Sequence, residues 1–228
     1  MFYCPKNVYN PYSLYRVSPI NNTRPMTSYL RILHAAPKSP VVDIYINDML
    51  KFKNLAYGDF TDYIDVITGN YNVKIYAAGT IASPVLNKTL FIPPEKIYTI
   101  AAIGMLPNMD LLPVPETKIM HPADKVYIKF AHLSPNTGPL DIVLPGGKIL
   151  FKNISYKGFT DYIEIPAGTY TLEARPTGTQ TTVLYVPNVK LKSQRFYTVY
   201  AIGLLNGRPG LQALIPLDGS SYLEMRED

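Results

Sequence analysis

The chain has 228 residues, of which 47% are apolar and only 17% are charged. This composition excludes a disordered protein, because such chains contain too few apolar residues to form a core. The net charge is +5, and three of these charges lie in residues 1–27. Without a concentrated basic stripe, the balance argues against nucleic-acid binding. Cys4 is the single cysteine, so no internal disulfide framework exists.

The beginning of the sequence lacks the pattern of an export signal. Residues 1–15 contain no charged region that leads into an apolar core, so we predict no Sec signal peptide. No run of 18 apolar residues occurs, and we therefore expect no membrane insertion. These observations predict synthesis in the cytoplasm.

Residues 1–27 form a segment rich in Tyr, Asn and Pro. The regular prolines exclude a helix and favour extended backbone. Two interpretations stay open: a loose arm that packs aromatic residues on the first domain, or an arm that docks on a neighbouring subunit by strand addition. The candidate interface residues are Tyr3, Cys4, Tyr9, Tyr12 and Tyr15.

The rest of the chain contains a long internal repeat. His34-Ala-Ala-Pro37 matches His132-Leu-Ser-Pro135, and Phe60-Thr-Asp-Tyr63 matches Phe159-Thr-Asp-Tyr162. A repeat of roughly 100 residues is a whole domain, because solenoid units run to only about 20–50 residues. We therefore predict domains at 28–117 and 118–228, with a link at Pro115–Asp124.

Each copy contains short alternating segments that predict strands, separated by turn residues. In the first copy they are Tyr29–His34, Val41–Ile46, Met49–Phe52, Phe60–Ile67, Tyr71–Ala77, Val85–Ile92, Tyr98–Ile103 and Leu111–Val114. In the second they are Tyr127–His132, Leu140–Leu144, Lys148–Phe151, Thr160–Ile165, Tyr170–Ala174, Thr181–Val186, Phe196–Ile202 and Leu211–Pro216. This spacing predicts an all-β protein of two tandem antiparallel β-sandwiches. The alternation in Tyr29–His34 predicts a half-buried strand.

The order of these elements resembles the bacterial domain of unknown function 4397. The residues that carry the resemblance are His34/Pro37, Pro40–Asp43, Phe60–Tyr63, Gly69–Tyr71 and Tyr98–Gly104, and again His132/Pro135, Pro139–Asp141, Phe159–Tyr162, Gly168–Tyr170 and Tyr197–Gly203. The resemblance covers roughly residues 28–216. It implies an immunoglobulin- or transthyretin-like sandwich, typically on exported or surface proteins, with no established activity.

A histidine and an aspartate recur in both copies, as His34 with Asp43 and His132 with Asp141. Such a pair can supply a general base or half of a metal site. Each copy has only this one shared histidine and no cysteine near it. We therefore predict a structural role in which the imidazole bonds to the turn that leads to the aspartate.

Two other candidate sites are weak. His132, Ser134 and Asp141 suggest a hydrolase triad, but Ala36 occupies the position that matches Ser134. Asp62 and Asp161 could bind calcium, yet calcium needs six to eight oxygen ligands, and we expect a turn-stabilising hydrogen bond from each instead. We predict no catalytic residues, no metal site and no cofactor.

Two functions remain as hypotheses. The first is a non-enzymatic structural protein of a bacterial surface or spore layer, which associates with itself or with other layer proteins through the arm and the sandwich edges. The alternative is an adhesion module that binds carbohydrate or protein through exposed tyrosines, which offer a large amphipathic contact area.

Overall fold

The computed structural model describes residues 26–117 and 124–223. The candidate interface residues Tyr3, Cys4, Tyr9, Tyr12 and Tyr15 lie outside these ranges. The described residues form an all-β structure of two sandwich-like domains, with one 3-10 turn at Gly219–Ser221. The predicted sandwich architecture is confirmed.

Each domain contains eight strands. Domain one has β1 (Thr27–His34), β2 (Val42–Ile46), β3 (Met49–Leu55), β4 (Ile64–Ile67), β5 (Gly69–Ala77), β6 (Leu86–Ile92), β7 (Ile97–Ile103) and β8 (Asp110–Glu116). Domain two has β9 (Lys125–His132), β10 (Leu140–Val143), β11 (Ile149–Ile154), β12 (Ile163–Pro166), β13 (Gly168–Pro176), β14 (Leu184–Leu191), β15 (Arg195–Ile202) and β16 (Gln212–Leu214). Pro115 and Glu116, which we had assigned to the link, belong to β8 because they pair with β7.

The strands form two sheets in each domain. One sheet has the order β4-β1-β7-β8 in domain one and β12-β9-β15-β16 in domain two. We call these the interface sheets, because their outer faces contact each other. The other sheet, which we call the outer sheet, has the order β3-β2-β5-β6 or β11-β10-β13-β14. The two domains therefore share one topology.

One strand pair in each interface sheet differs from the antiparallel prediction. Strand β1 runs parallel to β7, and β9 runs parallel to β15. Parallel neighbours need a long crossover, and here each crossover contains the four strands of the outer sheet together with the edge strand β4 or β12. The first and seventh strands of a copy thus become the centre of its interface sheet.

A separate apolar core fills each sandwich. In domain one, side chains such as Ile32 and Ile100 of the interface sheet pack against Ile44 and Ile75 of the outer sheet. Domain two has the same arrangement with Phe130, Ile142, Leu172 and Val199, among others. Alternate residues of each strand supply these contacts, as the period of a strand requires.

The prediction that Tyr29–His34 is half-buried is wrong, because β1 is buried on both faces. Leu30 and Ile32 face the sandwich core, whereas Arg31 is only 4% exposed on the opposite face. Strand β9 shows the same pattern, with Lys129 at 1% exposure. The polar residues of the alternation face the other domain instead of solvent.

A third apolar cluster joins the two domains. It comprises Leu33, Ala35, Ala101, Ile103 and Val114 from domain one and Ala131, Leu133, Tyr200 and Ile202 from domain two. Most of these residues occupy matching positions of the repeat. The domains therefore pack through equivalent faces, and the burial of this apolar area holds them together.

The described ranges contain no helix that is long and apolar enough to cross a membrane.

Candidate functional site

The most concentrated group of polar side chains lies between the two interface sheets, beside the apolar cluster. We call it the interdomain cluster. Domain one contributes Arg31, Tyr63, Thr99 and Glu116, and domain two contributes Lys129, Tyr162, Thr198 and Asp218. The cations, tyrosines and threonines stand at matching positions of the repeat, so the cluster has approximate two-fold symmetry.

Each carboxylate in the cluster is first bound by hydroxyl groups of its own domain. The Thr99 hydroxyl donates to Glu116 Oε1 at 2.6 Å, and the Tyr63 hydroxyl lies 2.7 Å from both carboxylate oxygens. In domain two, the hydroxyls of Thr198 and Tyr162 donate to Asp218 Oδ2 at 2.6 and 2.7 Å. Two donors per carboxylate replace much of the lost hydration.

Hydrogen bonds then cross between the domains in a reciprocal way. Arg31 donates to the Leu217 carbonyl at 3.0 Å and to Asp218 Oδ1 at 3.1 Å. The matching cation, Lys129, donates to the Pro115 carbonyl. In each case the cation binds a backbone carbonyl, and the residue with this carbonyl directly precedes the carboxylate residue of the other domain.

The Gly219 amide adds a further cross-domain bond, since it donates to Glu116 Oε2 at 2.7 Å. Gly219 opens the 3-10 turn that follows Asp218.

Aromatic rings cover the two cations. The Arg31 guanidinium lies 4.7 Å from the ring centres of both Phe60 and Tyr63. The Lys129 ammonium lies 4.8 Å from the Tyr162 ring. A cation over a ring face is attracted by the ring quadrupole, and the attraction is stronger when water is excluded.

The surroundings shift the pKa of three charged groups in the cluster. Burial raises the pKa of Asp218 to about 6, and the nearby Glu116 carboxylate adds to this effect. Burial lowers the pKa of Lys129. Burial alone would also lower the pKa of Arg31, but Glu116 and other groups raise it above its usual range. The guanidinium therefore stays charged and is the fixed cation of the cluster.

The repeated histidines lie outside this cluster, at the ends of β1 and β9. His34 Nε2 lies 3.0 Å from the Pro40 carbonyl, and its Nδ1 accepts from the Ala36 amide at 3.4 Å. His132 makes the same two contacts, with the Gly138 carbonyl at 3.1 Å and the Ser134 amide at 3.3 Å. One nitrogen accepts and the other donates, so both imidazoles are neutral, and burial lowers the pKa of each.

The repeated aspartates bind backbone amides near the histidine turns. Asp43 accepts from the amides of Asn54 at 2.8 Å and Gly79 at 2.9 Å, and these bonds lower its pKa. Asp141 accepts from the Asn153 amide at 2.7 Å and the Thr177 hydroxyl at 2.8 Å. Each aspartate thus ties the second strand of its domain to the strand or turn beside it.

Ser134, His132 and Asp141 do not form a catalytic triad. The buried Ser134 hydroxyl donates to the Gly203 carbonyl at 2.7 Å and lies 2.5 Å from the Thr137 hydroxyl. His132 bonds backbone groups through both ring nitrogens, as described above.

The hydrogen bonds expected of Asp62 and Asp161 are made by the threonines that precede them. Thr61 Oγ1 accepts from the Ile32 amide at 2.9 Å, and Thr160 Oγ1 accepts from the Phe130 amide at 3.1 Å. Both aspartate side chains are exposed. Within 26–117 and 124–223, no three His, Cys, Asp or Glu residues come together in a way that could hold a metal ion.

The backbone geometry explains why two further motif positions are glycine. Gly104 and Gly203 have φ values of 86° and 91°, and a Cβ would lie 2.5 Å from the Asn108 carbonyl oxygen in one case and 2.1 Å from that of Gly210 in the other. Only glycine fits these sites, because they combine a left-handed backbone with close approach of another chain segment.

The tyrosines of domain one lie in different environments. Tyr63 lies in the interdomain cluster, and the Tyr71 hydroxyl donates to the Ile67 carbonyl at 2.7 Å. Tyr57 packs against the apolar cluster between the domains. Tyr45 and Tyr76 are half-buried on the outer face of the domain-one outer sheet, with ring centres 5.2 Å apart.

The motifs recognised in the sequence do not include the charged members of the interdomain cluster. Arg31 and Lys129 stand at matching positions of the first predicted strand, which is a signal that the repeat contains. Glu116 and Asp218 have no such signal, because Glu116 ends β8 whereas Asp218 follows the shorter strand β16.

The chain matches a known protein family. The family model described as "Domain of unknown function (DUF4397)" matches residues 28–143 and again residues 135–221. The chain belongs to the DUF4397 family. The two matches correspond to a tandem repeat of the DUF4397 domain, as the sequence indicated. No curated protein matches the chain.

Two solved structures show a distant likeness to this DUF4397 chain. One is "The Bacillus anthracis TIE protein", with 12% identity, a TM-score of 0.25 and coverage of 79% of this chain and 34% of that chain. The other is the family CBM26 module CBMbc of Eubacterium rectale Amy13K in complex with maltoheptaose, with 11% identity and a TM-score of 0.25, covering 84% and 96% of the respective chains. The chain spans about a third of the length of the first. Both scores are too low to support an argument about function.

We expect Arg31→Met to destabilise the protein by roughly 3–5 kcal/mol at pH 7.5, because it leaves two buried carboxylates without their permanent cation. The raised pKa of Asp218 means that the folded state binds a proton more tightly than the unfolded chain. Its contribution therefore favours the fold below about pH 4 and is lost as the pH rises through about 6. The loss caused by Arg31→Met should accordingly shrink at pH 5, as measured by urea unfolding.

Lys74→Met is the matched control, since Lys74 pairs with the 76% exposed Asp48 at the surface. We expect it to have a much smaller effect. Equal losses of stability in the two variants would contradict the claim that the buried ion cluster stabilises the protein.

We expect the free energy of unfolding to depend on the two histidines at mildly acidic pH. Their lowered pKa values make the unfolded chain the better proton acceptor, so their contribution is complete above about pH 6.5 and is lost as the pH falls. The double change His34→Gln/His132→Gln keeps one donor and one acceptor per side chain but removes the titration. Between pH 7.5 and 5.5 this variant should lose less stability than the native chain; an equal or larger loss would show that the imidazoles are not held neutral.

Proposed function

We propose that this DUF4397 protein is a non-enzymatic structural protein of a bacterial surface or spore layer, which assembles with copies of itself. The observation that carries this proposal is the set of hydrogen bonds that the repeated polar residues make. His34, His132, Asp43 and Asp141 all bond within their own domain. The shared chemistry of the two copies therefore maintains the fold, as a building unit requires.

The packing of the domains supports the same function. Charged groups and an apolar cluster are buried between the interface sheets, so the two sandwiches form one unit. The ion pair between Asp110 and Lys157, at 3.0 Å, adds a contact between the domains at the rim. With Lys88 at 2.5 Å on its other oxygen, these ammonium groups outweigh the effect of burial and lower the pKa of Asp110 to about 2. A unit whose domains do not move independently can transmit load through a layer.

The proposal gives the segment before residue 28 an adhesive role. Its tyrosines and Cys4 would link neighbouring units by contact or by an intermolecular disulfide.

The test is the oligomeric state of the full chain and of a 28–228 truncation, measured by size-exclusion chromatography with light scattering. We expect the full chain to associate as its concentration rises and the truncation to associate less, because it lacks the arm. Monomers in both cases, at high concentration and without reductant, would overturn the proposal.

The outer sheet of domain one supports a second candidate, a module that binds neutral carbohydrate. Tyr45 and Tyr76 stand beside amide and hydroxyl side chains, and Asn72 donates to Asn87 at 2.8 Å on the same face. Aromatic rings and neutral hydrogen-bonding groups are suited to sugar rings and their hydroxyls. In domain two Arg175 replaces Tyr76 and bonds Glu173 and Gln180.

For this candidate we expect glycan-array binding that is lost in Tyr76→Ala. The control is Tyr185→Ala, which removes a 60% exposed tyrosine from the outer sheet of domain two. An array without signal, or equal losses in the two variants, would count against carbohydrate binding at this face.

A further inference from the structure

Eight strands lie at the edges of the four sheets in the described part of the chain. Edge strands carry unpaired backbone groups, and native proteins protect them by short length, proline, bulges or outward charge. Seven of the eight edge strands have such protection, and β6 does not.

The seven protected edges have the following features. β3 and β11 combine register shifts with lysines, β4 and β12 have only four residues each and contain an acidic residue, β8 contains Pro113 and Pro115, β14 contains Pro187, and β16 has three residues.

Strand β6 is regular over its whole length. Its seven residues pair with β5 without a register shift, and none of them is proline. Its one charged residue, Lys88, is turned toward β8, where its ammonium lies 2.5 Å from Asp110 Oδ1. The side chains on the outer face are the neutral Asn87, Thr89 and Phe91, and Phe91 is 62% exposed.

The repeat provides an internal comparison, because β14 is the matching edge of domain two. There the pairing with β13 shifts register, Pro187 removes a donor, and Asn188 has a left-handed φ of 59°. The residue that matches Phe91 in the register is Lys190, since Asn70 pairs with Phe91 and Thr169 pairs with Lys190. Domain two thus protects this edge against pairing with another strand, whereas domain one does not.

We propose that β6 pairs antiparallel with β6 of a second copy of this chain, so that two domain-one outer sheets become one continuous eight-stranded sheet. This inference rests on the proposed function and names the edge that it uses. Full overlap of the two strands places Thr89 opposite its own counterpart and Asn87 opposite the partner's Phe91. A second copy fits because no charge on this face meets a like charge across the two-fold axis, and the exposed Phe91 becomes covered.

The experiment uses the full chain with Cys4→Ser, so that disulfides do not contribute. Sedimentation velocity over a wide concentration range gives the dimer dissociation constant. Thr89→Lys sets two lysines directly opposite each other, and Phe91→Lys copies the solution found in domain two. We expect each variant to weaken the dimer by roughly tenfold or more, whereas the control Tyr185→Lys, on the already protected β14, leaves it unchanged.

Hydrogen exchange provides a readout that needs no variant. Amides in 86–92 should become protected as the concentration rises, and the same protection should persist in the 28–228 truncation. Protection that disappears with the arm would assign the edge to that segment and overturn the inference. Association that is insensitive to both lysine variants would also overturn the inference but leave the proposed function standing. A monomer at all concentrations would overturn the inference, and a chain with native Cys4 that is also monomeric without reductant would overturn the proposed function as well.

Discussion

The structure depends on one buried contact, the reach of Arg31 across the domain interface to Asp218 and to the carbonyl of Leu217. Arg31 is only 4% exposed, and a buried guanidinium is costly unless its charge and its donors are matched. Here Asp218 and Glu116 match the charge, Thr99 accepts from Nε, and the guanidinium lies over the rings of Phe60 and Tyr63. The contact is possible only when the two interface sheets lie face to face, so it specifies the arrangement of the domains.

This arrangement explains what the duplication has retained. A face that packs against its own copy must be self-complementary, as in a two-fold dimer, where each contact occurs twice. Arg31 and Lys129 each reach the carbonyl that precedes the carboxylate of the other domain, and each carboxylate binds a threonine and a tyrosine of its own domain. The tandem chain is in effect a dimer of one domain joined by a link.

The two outer sheets present different residues on their outer faces. Domain one presents Tyr76 and Phe91 where domain two has Arg175 and Lys190. The two ends of the unit therefore differ in the chemistry that they offer to a partner. Such a difference suits a component with one associating end and one closed end.

The fold could largely be predicted from the sequence, because strand period and turn residues are local signals. The His-x-x-Pro turn and the paired Asp43 and Asp141 were recognised from the repeat, and their hydrogen bonds are local or join adjacent strands. The face toward which a polar residue points was not predictable. The alternation in Tyr29–His34 predicts a strand with one face in solvent, and only the packing of the second domain against that face makes Arg31 buried.

The pairing direction of β1 and β7 was equally hidden. Their contact joins Tyr29 to Ile97 and depends on the crossover of the whole outer sheet rather than on either strand alone. The partners of Arg31 are similarly distant along the chain, with Asp218 lying 187 residues away. A contact between residues so far apart along the chain produces no periodic pattern in the sequence.

Calorimetric unfolding of the full chain tests the central claim most directly, that the buried cluster makes the two sandwiches one cooperative body. The account predicts a single transition in which the calorimetric and van't Hoff enthalpies agree. Two separate transitions, one for each domain, would contradict it.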